Sequence, residues 1–385
     1  MNSPVCTSVG DLIIQSMRTL STSPIANDPL DVCECGNPLY SHNTQCVVCG
    51  LGVGFDPISQ RVASFKPDST SGRWHTSLPE LSEQAFRPCA QRVSGCNCNW
   101  MLAADLFGEN CLSCQLTQVI PRLNIPGNSL LWAKAEMAKR RILIQLVRLG
   151  LPVASKANSS MGLEFRFMAS MPNDVVLTGY ENGIITLNIS EADDSEREAM
   201  RARMGEKYRT LAGHIRHELG HYYWDLLSRD GAWLESFRKN FGDERQDYNT
   251  ALRSHHQNGA PANWAQTYIS AYASSHPWED WAETFGHFLH LEEGLSLAKH
   301  FGLEPNALRL SAAKFTPAAL PTAMDDPTSA PFVEDVNRWI RLSLLLNELA
   351  EGLGQPHLTP FVLNVSTVAK LWQIHSSLQK LRQAV

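Results

Sequence analysis

The cysteines of this 385-residue chain are confined to its beginning. All ten lie within the first 114 residues, and none follows. Grouped thiolates can hold metal ions that stabilise a small domain without a large hydrophobic core. The asymmetry therefore predicts a loose N-terminus over 1–30, a metal-stabilised domain over 31–120 and a larger domain over 121–385.

The first four cysteines of the predicted small domain form two close pairs. Cys33 and Cys35 precede the segment Asn37-Pro-Leu-Tyr40, and Cys46-Val-Val-Cys49 follows it, with Gly after the second Cys of each pair. Such pairs are typical of zinc ribbons, although the first is C-x-C rather than the usual C-x-x-C. We predict a structural zinc site at Cys33, Cys35, Cys46 and Cys49.

A second group of cysteines contains one regular pair, Cys111-Leu-Ser-Cys114. Its partners should be two of Cys89, Cys96 and Cys98, and we favour Cys89 and Cys98, which leaves Cys96 spare. The remaining cysteine, Cys6, is expected to be unpaired.

The alternative to zinc is a disulfide framework, but residues 1–24 lack the pattern of a signal peptide. Thiolate zinc sites in a reducing cytosol are favoured, so we expect a cytoplasmic protein.

The charge balance bears on the class of partner. Residues 1–120 contain six Lys and Arg against ten Asp and Glu, and the whole chain has a net charge of −6. Binding to phosphates needs a positive surface, so we expect no nucleic-acid partner, and the ribbon is interpreted as a folding or protein-contact module. No apolar run is long enough to span a membrane. A helix over 131–149 could lie on a membrane surface, but we favour a domain helix and expect no membrane partner.

The run His217-Glu218-Leu-Gly-His221 matches the pattern H-E-x-x-H. Residues four apart lie on the same face of a helix, so both imidazoles can reach one metal ion, and the Glu is then placed to act as a general base. Periodic apolar residues predict one unbroken helix from Asp193 to Leu227, capped by Asp193 or Asp194. Gly220, between the two His, suggests a close approach of another backbone.

Local patterns predict the elements around this motif. Strands over 175–178 and 183–189, joined by Asn182-Gly183, should form a hairpin whose edge could hold an extended peptide. Residues 50–88 and 316–331 are expected to be loops because they are rich in Ser, Pro or Gly. Helices are expected over 332–353 and 366–381.

A catalytic zinc site needs a third protein ligand and an open position for water. The segment over 277–290 predicts a second helix with a polar stripe of Glu279, Glu283 and His287 beside an apolar stripe of Trp, Phe and Leu. The spacing Glu279-Asp-Trp-Ala-Glu283 resembles the E-x-x-x-D pattern of gluzincins, with Glu in place of Asp. We assign Glu279 to zinc and Glu283 to orienting a ligand His, with Asp280 or Glu283 as alternative ligands.

Taken together, these motifs resemble a family of bacterial proteins that join an N-terminal zinc ribbon to a C-terminal zinc-binding metallopeptidase domain. The resemblance covers nearly the whole chain after about residue 30. The matching segments are 46–55 (CVVCGLGVGF), 98–100 (CNW), 111–114 (CLSC), 138–141 (AKRR), 213–224 (GHIRHELGHYYW), 241–245 (FGDER), 270–283 (SAYASSHPWEDWAE) and 359–363 (TPFVL). It implies an α+β protein: a zinc ribbon, then a mainly helical zincin-like domain with a small antiparallel sheet.

The resemblance implies a gluzincin-like hydrolase that acts on a peptide or protein. Our hypothesis is zinc-dependent hydrolysis of peptide bonds by metal-activated water, with zinc on His217, His221 and Glu279 and with Glu218 as general base. Tyr272 is the preferred donor to the developing oxyanion, among several nearby Tyr, His and Arg residues. One catalytic and up to two structural zinc ions are expected. The alternative is a catalytically idle, zinc-stabilised interaction module.

Overall fold

The computed structural model describes residues 31–204, 209–310, 315–317, 329–359 and 361–384. These residues form two compact units, which divide between Arg197 and Glu198. Within them, the strands lie in the first unit and most helices in the second, which confirms the predicted α+β class. Cys6 and most of the predicted loop over 316–331 lie outside the described residues.

The Cys-rich part of the first unit contains seven short strands in two sheets. β1 (Asp31–Val32) pairs with β2 (Pro38–Leu39). A five-stranded antiparallel sheet follows in the order β3-β4-β5-β6-β7. Its strands are β3 (Gly52–Asp56), β4 (Arg61–Pro67), β5 (Trp74–His75), β6 (Phe86–Pro88) and β7 (Met101–Ala103).

The predicted loop over 50–88 is therefore wrong, because four strands lie within it. Their apolar residues are few and are separated by Gly, Ser and Pro, which hides the alternation of a strand. They are nevertheless buried: the rings of Phe65 and Phe86 pack edge to face with centroids 5.2 Å apart, and Met101 joins the same cluster. This small apolar cluster provides the core of the five-stranded sheet.

The remainder of the first unit is built on a four-stranded mixed sheet in the order β10-β11-β9-β8. β8 pairs with β9 and β9 with β11 in parallel, and only the β10–β11 pair is antiparallel. The elements are α1 (Leu112–Gln115), β8 (Thr117–Val119), α2 (Asn128–Arg148), β9 (Glu164–Met168), β10 (Gly179–Glu181) and β11 (Ile184–Asn188). Helix α2 covers the sheet, with the Lys139 ammonium over the rings of Phe165 and Phe167.

The hairpin predicted at Asn182-Gly183 is present. Both residues have positive φ angles, 50° and 83°, as a tight two-residue hairpin turn requires. The position predicted for its first strand is wrong, because pairing begins at Gly179 rather than at Val175. Val175 and Leu177 are 72% and 79% exposed, so their apolar character reflects no buried strand.

The second unit is helical in its described part. Its helices are α4 (Leu211–Leu227), α5 (Gly231–Phe241), α6 (Tyr248–Asn258), α7 (Pro277–His300), α8 (Ser329–Gly352) and α9 (Val365–Ala384). The helices predicted at the positions of α2, α7, α8 and α9 are thus confirmed. None of the described helices is long and apolar enough to cross a membrane.

The helix predicted to run unbroken from Asp193 to Leu227 is divided. Asp193 caps α3 (Asp194–Met204), as predicted, by accepting from the backbone N–H groups of Ser195 and Glu196. A new helix begins at Leu211, because Thr210 adopts an extended conformation and its hydroxyl accepts from Gly213 N at 2.9 Å. The His-bearing helix therefore begins only six residues before His217.

Candidate metal centre

Helix α4 presents both imidazoles of the H-E-x-x-H motif on one face. His217 and His221 are one turn apart, and their ring centroids are 4.9 Å apart. His221 is buried and His217 is half-buried. Leu219 and Tyr223 on the same helix are fully buried in the core, which fixes the rotation of the helix and hence the direction of the His pair.

Helix α7 brings Glu279 to this His pair from its first turn. Pro277 occupies the first helical position, and the His276 side chain caps the helix by accepting from Trp278 N at 3.1 Å. The carboxylate of Glu279 is 1% exposed. A buried carboxylate at a helix N-terminus is favoured by the helix dipole, which offsets part of the cost of removing its charge from water.

The two helices can approach because Gly220 has no side chain. A Cβ atom at Gly220 would lie 2.8 Å from the Cα atom of Ala282, as the predicted close backbone approach requires. The indole N–H of Trp281 donates to the Gly220 carbonyl at 2.9 Å across the same crossing. The sequence of the motif thus sets the distance between the helices as well as the identity of the ligands.

The donor atoms of His217, His221 and Glu279 lie within 4.8 Å of one another. His217 Nε2 is 3.0 Å from Glu279 Oε2, and His221 Nε2 is 3.5 Å from Glu279 Oε1. Ligands about 2.0–2.1 Å from a tetrahedral zinc ion are separated by about 3.4 Å. The donor set and its spacing therefore fit a zinc ion, and Glu279 is the acidic residue that the structure brings to the His pair.

Glu283 lies on the other side of the His217 ring. Its Oε1 is 2.8 Å from His217 Nδ1, and its Oε2 accepts from the Ser270 hydroxyl at 2.6 Å. A carboxylate at Nδ1 holds the proton there and leaves the Nε2 lone pair directed towards Glu279 and the metal position. This is the orienting arrangement that the sequence predicts for Glu283.

Asp280, the other candidate ligand, is engaged elsewhere. Its Oδ2 atom is 2.6 Å from Lys370 Nζ, and both side chains are almost completely buried. Burial raises the pKa of Asp280 to about 7, against the lowering effect of the Lys370 charge. The structure therefore pairs Asp280 with a cation of the protein.

The charges of the centre suit a divalent cation. Burial opposes ionisation of Glu279, but the imidazoles of His221 and His217 lower its pKa to about 2. Burial is also the main reason why the pKa of His221 falls to about 4, so the ring is neutral and can ligate. For His217, burial favours the neutral ring, but the carboxylates of Glu279 and Glu283 outweigh it and raise the pKa. Both carboxylates thus stabilise positive charge at this position.

Glu218, the predicted general base, is buried on the same helix. Burial favours its neutral form, but a contact with His214 and the charges of the neighbouring imidazoles lower its pKa. His214 Nε2 lies 3.2 Å from Glu218 Oε1. The carboxylate is therefore ionised and can accept a proton.

Among the residues that the structure describes, two tyrosines approach the centre, and the sequence predicts only one of them. The Tyr272 ring centroid is 6.1 Å from that of His217, and burial together with the Glu279 charge raises the Tyr272 pKa, which keeps the phenol protonated. Tyr248, which no sequence pattern indicates, donates its hydroxyl to Glu279 Oε1 at 2.7 Å. The Asp247 cap predicts the start of α6, but nothing in the sequence connects Tyr248 to a residue 31 positions later.

The two predicted Cys sets are also brought together. The Sγ atoms of Cys33 and Cys49 are 3.4 Å apart, and those of Cys35 and Cys46 are 3.7 Å apart. A disulfide bond would be near 2.0 Å, whereas sulfur ligands around a tetrahedral zinc ion are about 3.8 Å apart. These separations fit a zinc ion and do not fit disulfides.

The Sγ separations of the second Cys set also fit a zinc ion rather than disulfides. Cys98 and Cys111 have Sγ atoms 3.7 Å apart, and Cys89 Sγ accepts from Cys111 N at 3.3 Å. The Sγ atom of Cys96 instead lies 3.3 Å from the Ser94 hydroxyl. The four cysteines with ligand atoms within 4.8 Å of one another are Cys89, Cys98, Cys111 and Cys114.

Comparison with known proteins was consistent with both halves of the chain. A sequence model of the family described as "Putative zinc-binding metallo-peptidase" matches residues 128–377, and one of a zinc-ribbon domain matches residues 31–125. Three proteins described as uncharacterized, one from Mycobacterium bovis and two from strains of Mycobacterium tuberculosis, are each 35% identical over 344 residues. The aligned region covers 89% of this chain and 92% of each relative. No solved structure matches.

Proposed function

The chain belongs to the family described as "Putative zinc-binding metallo-peptidase" and carries an N-terminal zinc-ribbon domain. We propose that it hydrolyses peptide bonds with Glu218 as general base. One observation carries the proposal: the donor atoms of His217, His221 and Glu279 lie together, and Glu218 follows the first of them in sequence. Two His and one Glu fill three positions of a tetrahedral zinc ion and leave the fourth for water. That is the ligand set of a catalytic rather than a structural site.

The protein's own residues supply the proton transfers. Zinc, when bound by these ligands, supplies the Lewis acidity that brings the pKa of water towards neutrality. The ionised Glu218 accepts a proton from the attacking water and delivers it to the leaving amine. His214, 3.2 Å from Glu218 Oε1, restricts the orientation of that carboxylate. Trp278 packs against the His221 ring, with centroids 3.9 Å apart, and limits the access of water from that side.

Tyr272 is the proposed donor to the oxyanion that develops on the substrate carbonyl. Its ring lies beside His217, and its raised pKa keeps the proton that a donor must have. Tyr248 is less suited to this role, because its hydroxyl already donates to Glu279. The ring of Tyr268, another tyrosine near α7, instead packs against the ammonium of Lys370.

The substrate is a peptide or a protein, and neither nucleic acid nor membrane is a partner, in line with the acidic balance of residues 1–120. The two Cys sets each hold one structural zinc ion, which gives two structural ions beside the catalytic one. Thiolate sites of this kind need reduced cysteines, so we propose a cytosolic location.

The number of zinc ions per molecule tests whether the His–Glu centre binds zinc. Elemental analysis of the purified full chain should find three zinc ions per molecule, and His221→Ala should reduce the number to two. A wild type with two ions, unchanged by His221→Ala, would remove the catalytic site from the proposal.

Activity then separates an enzyme from an idle interaction module. The zinc-loaded wild type should cleave members of a broad peptide library. Glu218→Gln should abolish cleavage while retaining all three ions, and Glu235→Gln, the same change at an exposed position of α5, should have no effect. A zinc-loaded wild type that cleaves no library member would favour the interaction module.

A further inference from the structure

Lys370 on α9 is a buried cation that has no part in the proposed chemistry. Its side chain is 2% exposed, and its ammonium donates to Asp280 Oδ2 at 2.6 Å and to the Thr267 carbonyl at 3.0 Å. The ring of Tyr268 lies 4.5 Å from the same nitrogen, and that of Phe241 lies 5.6 Å away. The ammonium is thus enclosed by one carboxylate, one carbonyl and two aromatic faces.

Each hydrogen bond of Lys370 ends on a segment that leads to the metal centre. Asp280 is the neighbour of Glu279 in the first turn of α7, so the bond to Asp280 fixes the turn that presents the third ligand. Thr267 is three residues before Ser270, whose hydroxyl holds the Glu283 carboxylate against His217. One ammonium therefore joins the backbone that presents Glu279 to the backbone that orients His217.

The segment before Ser270 is also held by the chain that precedes Lys370. Val362 N donates to the Ile269 carbonyl at 3.3 Å, and the Asn364 side chain donates to the Ala265 carbonyl at 2.8 Å. These bonds fix the segment over 265–270 against the start of α9. The Lys370 bond to Asp280 then joins the same region of α9 to α7, so that hydrogen bonds link all three segments.

An ion pair, rather than an apolar contact, joins α9 to α7 at Lys370 and Asp280. Removing two charges from water is costly, so a well-packed apolar pair would hold α9 against α7 at least as firmly. Apolar contacts, however, are not directional, whereas an ammonium with two fixed acceptors sets distance and angle together. The arrangement therefore suits accurate placement of the neighbouring ligand better than it suits stability alone.

We propose that Lys370 is a positioning residue of the metal centre, which holds Glu279 and the Ser270–Glu283 pair in register through Asp280 and Thr267. The inference rests on the proposed zinc centre and assigns the C-terminal helix a role in it. Lys370 touches neither the donor atoms nor the general base. Its loss should therefore weaken zinc binding at this centre while the two Cys sites keep their ions.

The test compares zinc affinities within the full chain. Zinc is withdrawn by a chelator of known affinity, and His221→Ala identifies which ion belongs to the His–Glu centre. Lys370→Met should lower the zinc affinity of that centre about tenfold or more, as is common when residues that hold metal ligands in place are changed. Because Lys370→Met leaves Asp280 buried without its cation, Lys370→Met with Asp280→Asn removes both charges and should show the same loss in a folded chain.

Ser377→Ala is the matched control on α9. It removes a buried hydrogen bond, 2.8 Å long, from the indole N–H of Trp233 on α5, and it leaves the bonds of Lys370 to Asp280 and Thr267 in place. Its thermal stability should fall while its zinc affinity stays as in the wild type. The inference is overturned if the double variant keeps wild-type affinity, or if Ser377→Ala weakens the same ion equally. A wild type that holds only the two Cys-bound ions would instead overturn the proposed function.

Discussion

The Cα atom of Ala282 lies 2.8 Å from the position that a Cβ atom would occupy on Gly220. Such a Cβ atom would meet a backbone atom, so no change of rotamer could relieve the contact. Helix α4 carries the His pair and α7 carries Glu279, and the spacing of the three donor atoms therefore depends on the absence of one methyl group. Gly220 acts on the metal centre although it supplies no ligand.

Gly220→Ala should force α4 and α7 apart. Overpacking should cost about 1–3 kcal/mol. The roughly 1 kcal/mol that Ala contributes to a helix relative to Gly offsets part of this cost, so we expect a net loss of stability of up to about 2 kcal/mol. Zinc affinity at the His–Glu centre should fall with it. Gly286→Ala is the control in α7, because its Cβ would meet its nearest atoms at 3.6–3.8 Å, an ordinary contact distance. Thermal unfolding and zinc competition on both variants check the prediction; equal effects would contradict it.

Glu283→Gln should weaken zinc binding without removing a ligand. The carboxylate accepts from both His217 and Ser270, whereas an amide has one oxygen for two donors and no charge to stabilise the imidazole. We expect zinc affinity to fall about 10–100-fold, as is common when the partner of a ligand His is changed. Ser270→Ala keeps the charge and should cost less. Chelator competition gives both values, and a wild-type affinity in Glu283→Gln would show that Glu283 does not orient His217.

The local parts of this centre could be predicted from the sequence, because they follow from helical spacing. His217 with His221, and Glu279 with Glu283, are each four residues apart, and Gly220 marks the helix crossing within the motif itself. In the structure, α4 carries the first pair and α7 the second, and the crossing of the two helices brings the pairs together.

The remaining parts depend on contacts between distant segments, which no local pattern encodes. Tyr248 reaches Glu279 across 31 residues and Lys370 reaches Asp280 across 90. The division at Thr210 was missed for a different reason: the apolar periodicity continues through it, and the capping hydroxyl decides where the helix begins. Periodicity reports which face is buried, but not whether one helix or two present it.

The spare cysteine of the ribbon gives a prediction about metal content. Cys114→Ser should lose the second structural zinc ion, because the ligand set would be incomplete. Cys96→Ser should retain it, because Cys96 Sγ lies against the Ser94 hydroxyl and outside the set. Elemental analysis of both variants, with the content of the His–Glu centre as an internal reference, checks the assignment. Loss of zinc from Cys96→Ser would show that Cys96 replaces Cys89 or Cys98 as a ligand.

The two tyrosines near the centre should be separable by their effects on binding and on rate. Tyr248→Phe removes the hydrogen bond to Glu279, and a bond to a charged group contributes about 1.5–3 kcal/mol, so zinc affinity should fall roughly 10–100-fold. At saturating zinc its rate of peptide cleavage should recover.

Tyr272→Phe should show the opposite pattern, because Tyr272 is proposed to act only on the transition state. Zinc affinity should stay as in the wild type, while kcat falls about 10²–10³-fold at any zinc concentration, the usual loss when one oxyanion donor is removed. Zinc competition and cleavage of a single library peptide, measured on both variants, give the comparison. If Tyr248→Phe fails to recover at saturating zinc and Tyr272→Phe cleaves normally, then Tyr248 is the oxyanion donor and its bond to Glu279 is replaced by one to the substrate during the reaction.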